Sequence, residues 1–340
     1  MKTKYMKFLG IIGIILLAIV LLSFNSVANA SNEDDEIIEF KDENFKSAIL
    51  SSPNRYDTND DGEISIGEMK NITNNLTLEG KGITDISEIK YATNLQFLDL
   101  SDNNISDISC LENLTELCSV DLSNNNIVDI SGLSNATKIY QLDLSNNKIE
   151  NLTPLKDMKE LWALELDNNN VESLEGLNSL EKMQLLTLND NNIGDLTPIS
   201  DLVGIISLQL DNNNIKDLTP LSKLQNLDSL FLKNNKIEDI SPLVTLTNLY
   251  TLDLTGNYIS DFTPIEELNV KELYVDNQKV ENSTNTDNKV EQEQEENTET
   301  QVEPKGEKDN TPKTGVENNV VLPISIIAIV LAVGIINLKK

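Results

Sequence analysis

The chain has 340 residues and a formal net charge of −30, with 56 acidic against 26 basic side chains. That balance excludes nucleic acid as a partner class, because phosphate binding needs clustered Lys and Arg. With no histidine anywhere in the chain, imidazole acid–base catalysis and His-ligated metal centres are excluded as well.

Residues 1–30 hold Lys2, Lys4 and Lys7, an apolar run from Phe8 to Leu22, and then Ala28–Asn29–Ala30. A basic, then apolar, then small-residue order reads as a secretory signal peptide, with Ser31 first in the mature chain. Residues 31–75 read as a small helical cap. Asp42 is placed to cap a short helix that carries Phe45, Ala48 and Ile49 on one side, with Pro53 beyond its end. Residues 57–68 follow the twelve-residue EF-hand pattern. Asp57, Asn59 and Asp61 would offer side-chain oxygens, Gly62 the sharp turn, Glu63 its carbonyl, Ser65 the ninth place and Glu68 a bidentate carboxylate. Hard oxygen donors at this spacing predict a Ca²⁺ ion that stiffens the cap.

From Leu95 the chain rewrites one phrase, Leu95–Gln96–Phe97–Leu98–Asp99–Leu100–Ser101–Asp102–Asn103–Asn104–Ile105. Near-copies begin at Leu117, Ile139, Leu161, Met183, Ile205, Leu227 and Leu249, each 22 residues after the last. This is the leucine-rich repeat signature. Counting the first Leu as position 1, position 6 is always Leu and position 9 always Asn, from Asn103 to Asn257. A buried amide must be hydrogen-bonded, so the asparagine column is read as structure. Aspartate recurs at position 13, and Pro or Gly soon after it disfavours a full helix in favour of a 3₁₀ turn. The prediction is an α/β solenoid over residues 76–280: a leucine-rich repeat horseshoe of 22-residue coils, with a parallel sheet on the concave face and 3₁₀ turns on the convex one.

Strand alternation sends positions 3, 5 and 7 to the concave face. Position 5 gives an acidic ribbon of Asp99, Asp121, Asp143 and Glu165, which Asp167 extends, with Phe97, Leu185 and Phe231 as apolar interruptions. Tyr140, Trp162 and Tyr250 stand at position 2 along the strand edge. Aromatics within a charged rim are the residue types that anchor protein interfaces, so these are the candidate partner-binding residues. Cys110 and Cys118 are the only cysteines, either disulfide-linked or two separate thiols.

Residues 281–310 are rich in Glu, Asn, Thr, Gln and Lys, which predicts a disordered acidic linker. Residues 311–340 begin Thr311–Pro312–Lys313–Thr314–Gly315, continue through an apolar run at 320–338 of bilayer-spanning length, and end Lys339–Lys340. The order resembles the sortase sorting signal of Gram-positive bacteria, with Thr311 where that signal has Leu. The resemblance implies sortase cleavage between Thr314 and Gly315 and covalent attachment to peptidoglycan; a permanent membrane anchor is the alternative.

The 22-residue repeat, its polar 3₁₀ turn and the acidic cap together make residues 37–280 resemble the internalin family of bacterial surface proteins. The resemblance implies a curved solenoid that grips a partner on its concave face, and a cap loop that can be architectural. The expected function is therefore a non-enzymatic, monomeric adhesin that presents the concave face to a protein or glycan. A structural or cation-binding acidic wall protein is the alternative.

Overall fold

A computed structural model describes residues 33–279. The expected signal peptide, linker, sortase motif and apolar run lie outside that range. Among the described residues no helix is long and apolar enough to cross a membrane.

Each coil contributes one three-residue strand. In chain order these are β1 (Asn75–Thr77), β2 (Phe97–Asp99), β3 (Ser119–Asp121), β4 (Gln141–Asp143), β5 (Ala163–Glu165), β6 (Leu185–Thr187), β7 (Ser207–Gln209), β8 (Ser229–Phe231), β9 (Thr251–Asp253) and β10 (Glu272–Tyr274). They pair strictly in sequence order into one parallel sheet. The apolar positions lie in one continuous core, with the leucines at positions 1, 4 and 6 at or near complete burial. Burial of this apolar surface drives the stacking, since no single coil can hide its own leucines.

The asparagine column holds the coils together as the sequence predicts. Asn147 donates through Nδ2 to the carbonyls of Leu122 (2.9 Å) and Leu144 (3.0 Å), while its Oδ1 accepts from the Ile127 amide at 2.9 Å. One side chain thus satisfies backbone groups of its own coil and of the one before. The aspartates of position 13 accept the amide two residues on, as Asp217 does from Thr219 at 2.8 Å, and so start the convex 3₁₀ turns.

The sheet has two strands more than the eight copies supply. In the first coil Lys81 occupies position 9, but its amide is bound by Asn103 Oδ1 of the next coil at 3.1 Å, so no asparagine is needed there. At the far end Gln278 takes the asparagine's place. Its Nε2 donates to Leu254 and Val275, both at 2.9 Å, and its Oε1 accepts from Ile259 at 3.0 Å. That last coil pairs Glu272 with Thr251, one residue short of the 22-residue period, and the longer amide arm spans the difference. The sequence reads Val270–Val280 as a closing half-turn; its described part, residues 270–279, is instead a tenth coil with a strand of its own.

One convex 3₁₀ turn is missing, between β5 and β6. Ser173 stands at position 13 and holds the Glu175 amide only at 3.2 Å, and Gly176 adopts φ +105°. A Cβ on Gly176 would lie 2.3 Å from the Leu152 carbonyl oxygen. Gly176→Ala is expected to cost about 3 kcal/mol through the wrong-handed backbone and that clash, read as a lowered denaturant midpoint.

The cap packs on the same core. Helix α1 (Glu43–Leu50) buries Phe45, Ala48 and Ile49, and helix α2 (Ile66–Lys70) buries Ile66 and Met69. Asp42 caps α1 through Oδ1, at 2.7 Å from the Asn44 amide. Its Oδ2 accepts from the Thr84 amide (2.7 Å) and the Asp85 amide (3.1 Å), which ties the cap to the first coil. Burial alone would raise the Asp42 carboxyl, but the bonds from Thr84, Asp85 and Phe45 bring it down to about 2.

Candidate functional site

The sheet register puts Asp99, Asp121, Asp143 and Glu165 side by side in one row across β2–β5. Adjacent strands stand ~4.8 Å apart, so the four carboxylates are close neighbours. Among the described residues, the ion pairs fall elsewhere, in the cap and along the coil edges as in Glu116–Lys138, Glu160–Lys182 and Asp201–Lys223. Among the described residues no basic side chain pairs with the row.

Backbone amides do the holding instead. Asp99, Asp121 and Asp143 each accept the amide two residues on, from Ser101 (3.1 Å), Ser123 (2.9 Å) and Ser145 (2.8 Å). In the middle coils the task passes to position 7. Asp167 accepts from the Asn189 amide, Asn189 from the Asp211 amide and Asp211 from the Lys233 amide, all at 2.8 Å. Capping thus changes from within one coil to between coils. The change falls at Glu165, whose carboxylate receives no hydrogen bond among the described residues.

The charge state follows from that geometry. Burial, then the neighbouring Asp143, Asp167 and Asp121, push the Glu165 carboxyl up to about 8. Burial and Asp121 raise Asp143 to about 6 against the bond from the Ser145 amide, and burial raises Asp121 and Asp167. Asp211 reaches about 6, again chiefly through burial.

The apolar candidates are distributed less evenly. Phe97 is 39% exposed at one end of the sheet, while Leu185 and Phe231 are half-buried within the same face. Tyr140 and Trp162 are half-buried at position 2 of adjacent coils, where the Trp162 amide bonds the Tyr140 carbonyl at 3.0 Å. Tyr250 is 49% exposed at the equivalent place. Exposed Ile206, also at position 2, and exposed Leu273 and Tyr274 on β10 join the apolar surface. Sequence reasoning passed over Ile206 because only aromatics were sought at that position, and missed the other two because their strand went unrecognised.

Sequence comparison matches the leucine-rich repeat profile, in units of two copies, at residues 93–135, 115–157, 203–244 and 225–267. A search of curated proteins finds no match. Among solved structures, an internalin from Listeria monocytogenes is 30% identical, with a TM-score of 0.61, and the match covers 71% of this chain and 77% of that one. An internalin C2 from the same organism is 31% identical at TM-score 0.58, covering 65% of this chain and 94% of that one. The chain belongs to the internalin-like leucine-rich repeat family. A leucine-rich repeat protein of Leptospira interrogans, 23% identical at TM-score 0.57 and covering 63% of this chain and 57% of that one, shares the fold.

In this internalin-like chain the loop at residues 57–68 folds around its own amides. Asp57 Oδ1 and Asn59 Oδ1 both accept from the Asp61 amide, at 3.2 and 2.9 Å, and Asp57 Oδ2 accepts from Gly62 at 2.9 Å. Asp61 Oδ1 accepts from the Glu63 amide at 2.8 Å. Glu68 closes a capping box with Ser65 at the start of α2 and reaches across the loop to the Thr58 amide at 2.8 Å. Glu63 pairs with Lys46 at 2.6 Å, which leaves its carbonyl as the donor expected at that place. Oxygens of Asp57 and Asn59 thus converge on the Asp61 amide. Among the described residues, however, no group of three or more Asp, Glu, Cys or His side chains is spaced to hold a metal. The donors are oxygens, the type Ca²⁺ takes, but the Glu68 carboxylate is committed to Ser65 and Thr58.

Cys110 and Cys118 are both free thiols. Burial, followed by the nearby Asp107, pushes the Cys110 thiol up to about 12, so it stays protonated and unreactive at neutral pH.

Proposed function

We propose that this internalin-like chain is a surface adhesin of a Gram-positive cell, using its concave face to bind an extracellular protein partner as a monomer. The contrast between scaffold and groove carries the reading. Positions 1, 4, 6 and 9 repeat almost without change, whereas positions 2, 3, 5 and 7 vary coil by coil and leave a carboxylate row with no basic partner among the described residues. Stability alone asks for neither the variation nor the unpaired charge. The similarity to two Listeria internalins over most of the chain supports a protein-binding role.

The test is capture from a panel of purified extracellular proteins and glycans. The double substitution Tyr140→Ala/Trp162→Ala should weaken capture at least tenfold, while leaving the circular dichroism spectrum unchanged. Full retention of binding would move the interface away from this patch.

Export, sortase cleavage at Thr314–Gly315 and a covalent bond to peptidoglycan complete the proposal. Thr314→Ala should shift the protein from the cell-wall to the membrane fraction. The cap loop is proposed to take one structural Ca²⁺ ion. Millimolar Ca²⁺ should then raise the melting temperature by a few degrees, and Asp57→Ala should remove the increase; an unshifted melting curve would contradict it.

A further inference from the structure

The carboxylate row is interrupted at Glu165 in a way that the scaffold does not require. In the two preceding coils the serine at position 7 turns its hydroxyl onto its own aspartate, Ser101 to Asp99 and Ser123 to Asp121, each at 2.7 Å. Ser145, the third of that series and only 7% exposed, leaves its Oγ without any partner beside Asp143. Thr187, which pairs with Glu165 across the β5–β6 register, also has a buried hydroxyl with no partner. A buried hydroxyl without a hydrogen bond destabilises the fold, and here two of them flank a carboxylate that receives none.

We propose that Asp143, Glu165 and Asp167, with the hydroxyls of Ser145 and Thr187, form a socket for one arginine side chain of a protein partner. This rests on the groove reading above and names the chemistry of the residue that enters it. A guanidinium offers five donors in a planar fork, enough for carboxylates on neighbouring strands and for both idle hydroxyl oxygens. A bare divalent ion fits less well, because oxygens around Ca²⁺ must converge to 2.3–2.6 Å from one centre and these three side chains are not so gathered. Trp162 and Tyr140 lie at the edge of the same two coils, where aromatic faces favour a cation.

Trp162 is the only tryptophan, so its fluorescence reports this place alone. The full chain is titrated at pH 8.5 with a hexapeptide holding one Arg among neutral residues, with the same peptide holding citrulline, and with CaCl₂. The Arg peptide should saturate the signal at least tenfold more tightly than the citrulline peptide. Glu165→Gln should lose that tenfold. Asp201→Asn, which removes an equal charge from an edge ion pair with Lys223, should bind within twofold of the parent. The socket is overturned if Arg and citrulline peptides bind alike, which leaves the groove reading standing. It is overturned equally if Glu165→Gln binds as the parent does, or if only Ca²⁺ gives a saturable response. If neither peptide binds but panel capture still depends on Tyr140 and Trp162, the socket falls alone; if that dependence fails too, both readings fall.

Discussion

Asn147→Ala is expected to lower the stability of the repeat domain by about 3–5 kcal/mol. The substitution removes four bonds at once: it strands the Ile127 amide inside the solenoid and takes one donor each from the Leu122, Leu144 and Ser145 carbonyls, leaving Leu122 to Asn125 and Leu144 to Asn169. Each buried group left without a partner costs ~1–3 kcal/mol, and water cannot easily reach a site between two stacked coils. Half-buried Asn126 makes the control. Its side chain accepts only from the exposed Lys148 ammonium, so Asn126→Ala should change stability by roughly 0.5 kcal/mol or less. Urea denaturation followed by circular dichroism separates the two. Equal midpoints would mean that the column is decoration rather than the fastening of the coils. Because each coil touches only its neighbours, the loss at Asn147 should also loosen amide protection first in the coils on either side.

Glu165→Gln is expected to stabilise the folded chain at pH 8, by about 2 kcal/mol or roughly 4–8 °C in melting temperature. The folded value near 8 stands above the ordinary 4.5 of a glutamate. Between those two values the native state holds more protons than the unfolded state, so stability falls as pH rises through that window. Asp143 and Asp211, both near 6, act in the same direction over a narrower window. Asp42 acts in the opposite direction. Its folded value near 2 lies below the ordinary 3.8, so its contribution is lost as pH drops from about 4 towards 2. Glu68, Asp107, Asp195 and Asp217, all held low by hydrogen bonds, follow Asp42. Stability should therefore peak between about pH 4 and 6, unusually acidic for a domain, and Glu165→Gln should flatten the alkaline side of that curve. A maximum at pH 8 that the substitution leaves unmoved would contradict the unpaired-row account.

Most of the scaffold is legible in the sequence because it is local and repeated. The leucines, the Asn103–Asn257 column and the position-13 aspartates each do the same work in every coil, so one reading serves all. The position-8 residues were just as legible and were passed over. Asp102, Asn124, Asn146, Asn168, Asp190, Asn212 and Asn234 all adopt φ near +55°, with Gly256 at +71°, which explains why only Asn, Asp and Gly occur there. What the sequence hides depends on a neighbour. The first coil needs no asparagine because Asn103 reaches back to it, and Gln278 replaces one only because the last coil is a residue shorter. The idle hydroxyl of Ser145 and the unbonded carboxylate of Glu165 are invisible to a periodic reading for the same reason. Each arises where the capping pattern of one coil meets a different pattern in the next. The candidate site is where the repeat stops repeating.

Carboxyl footprinting of the complex with a captured partner tests the central claim directly. Carbodiimide labelling read by mass spectrometry should fall at Asp99, Asp121, Asp143 and Glu165 on the concave row when the partner is bound. Labelling at Asp107, Asp195 and Asp217 on the convex turns should stay as it is in the free chain. Protection of the convex aspartates with an unchanged concave row would contradict the account.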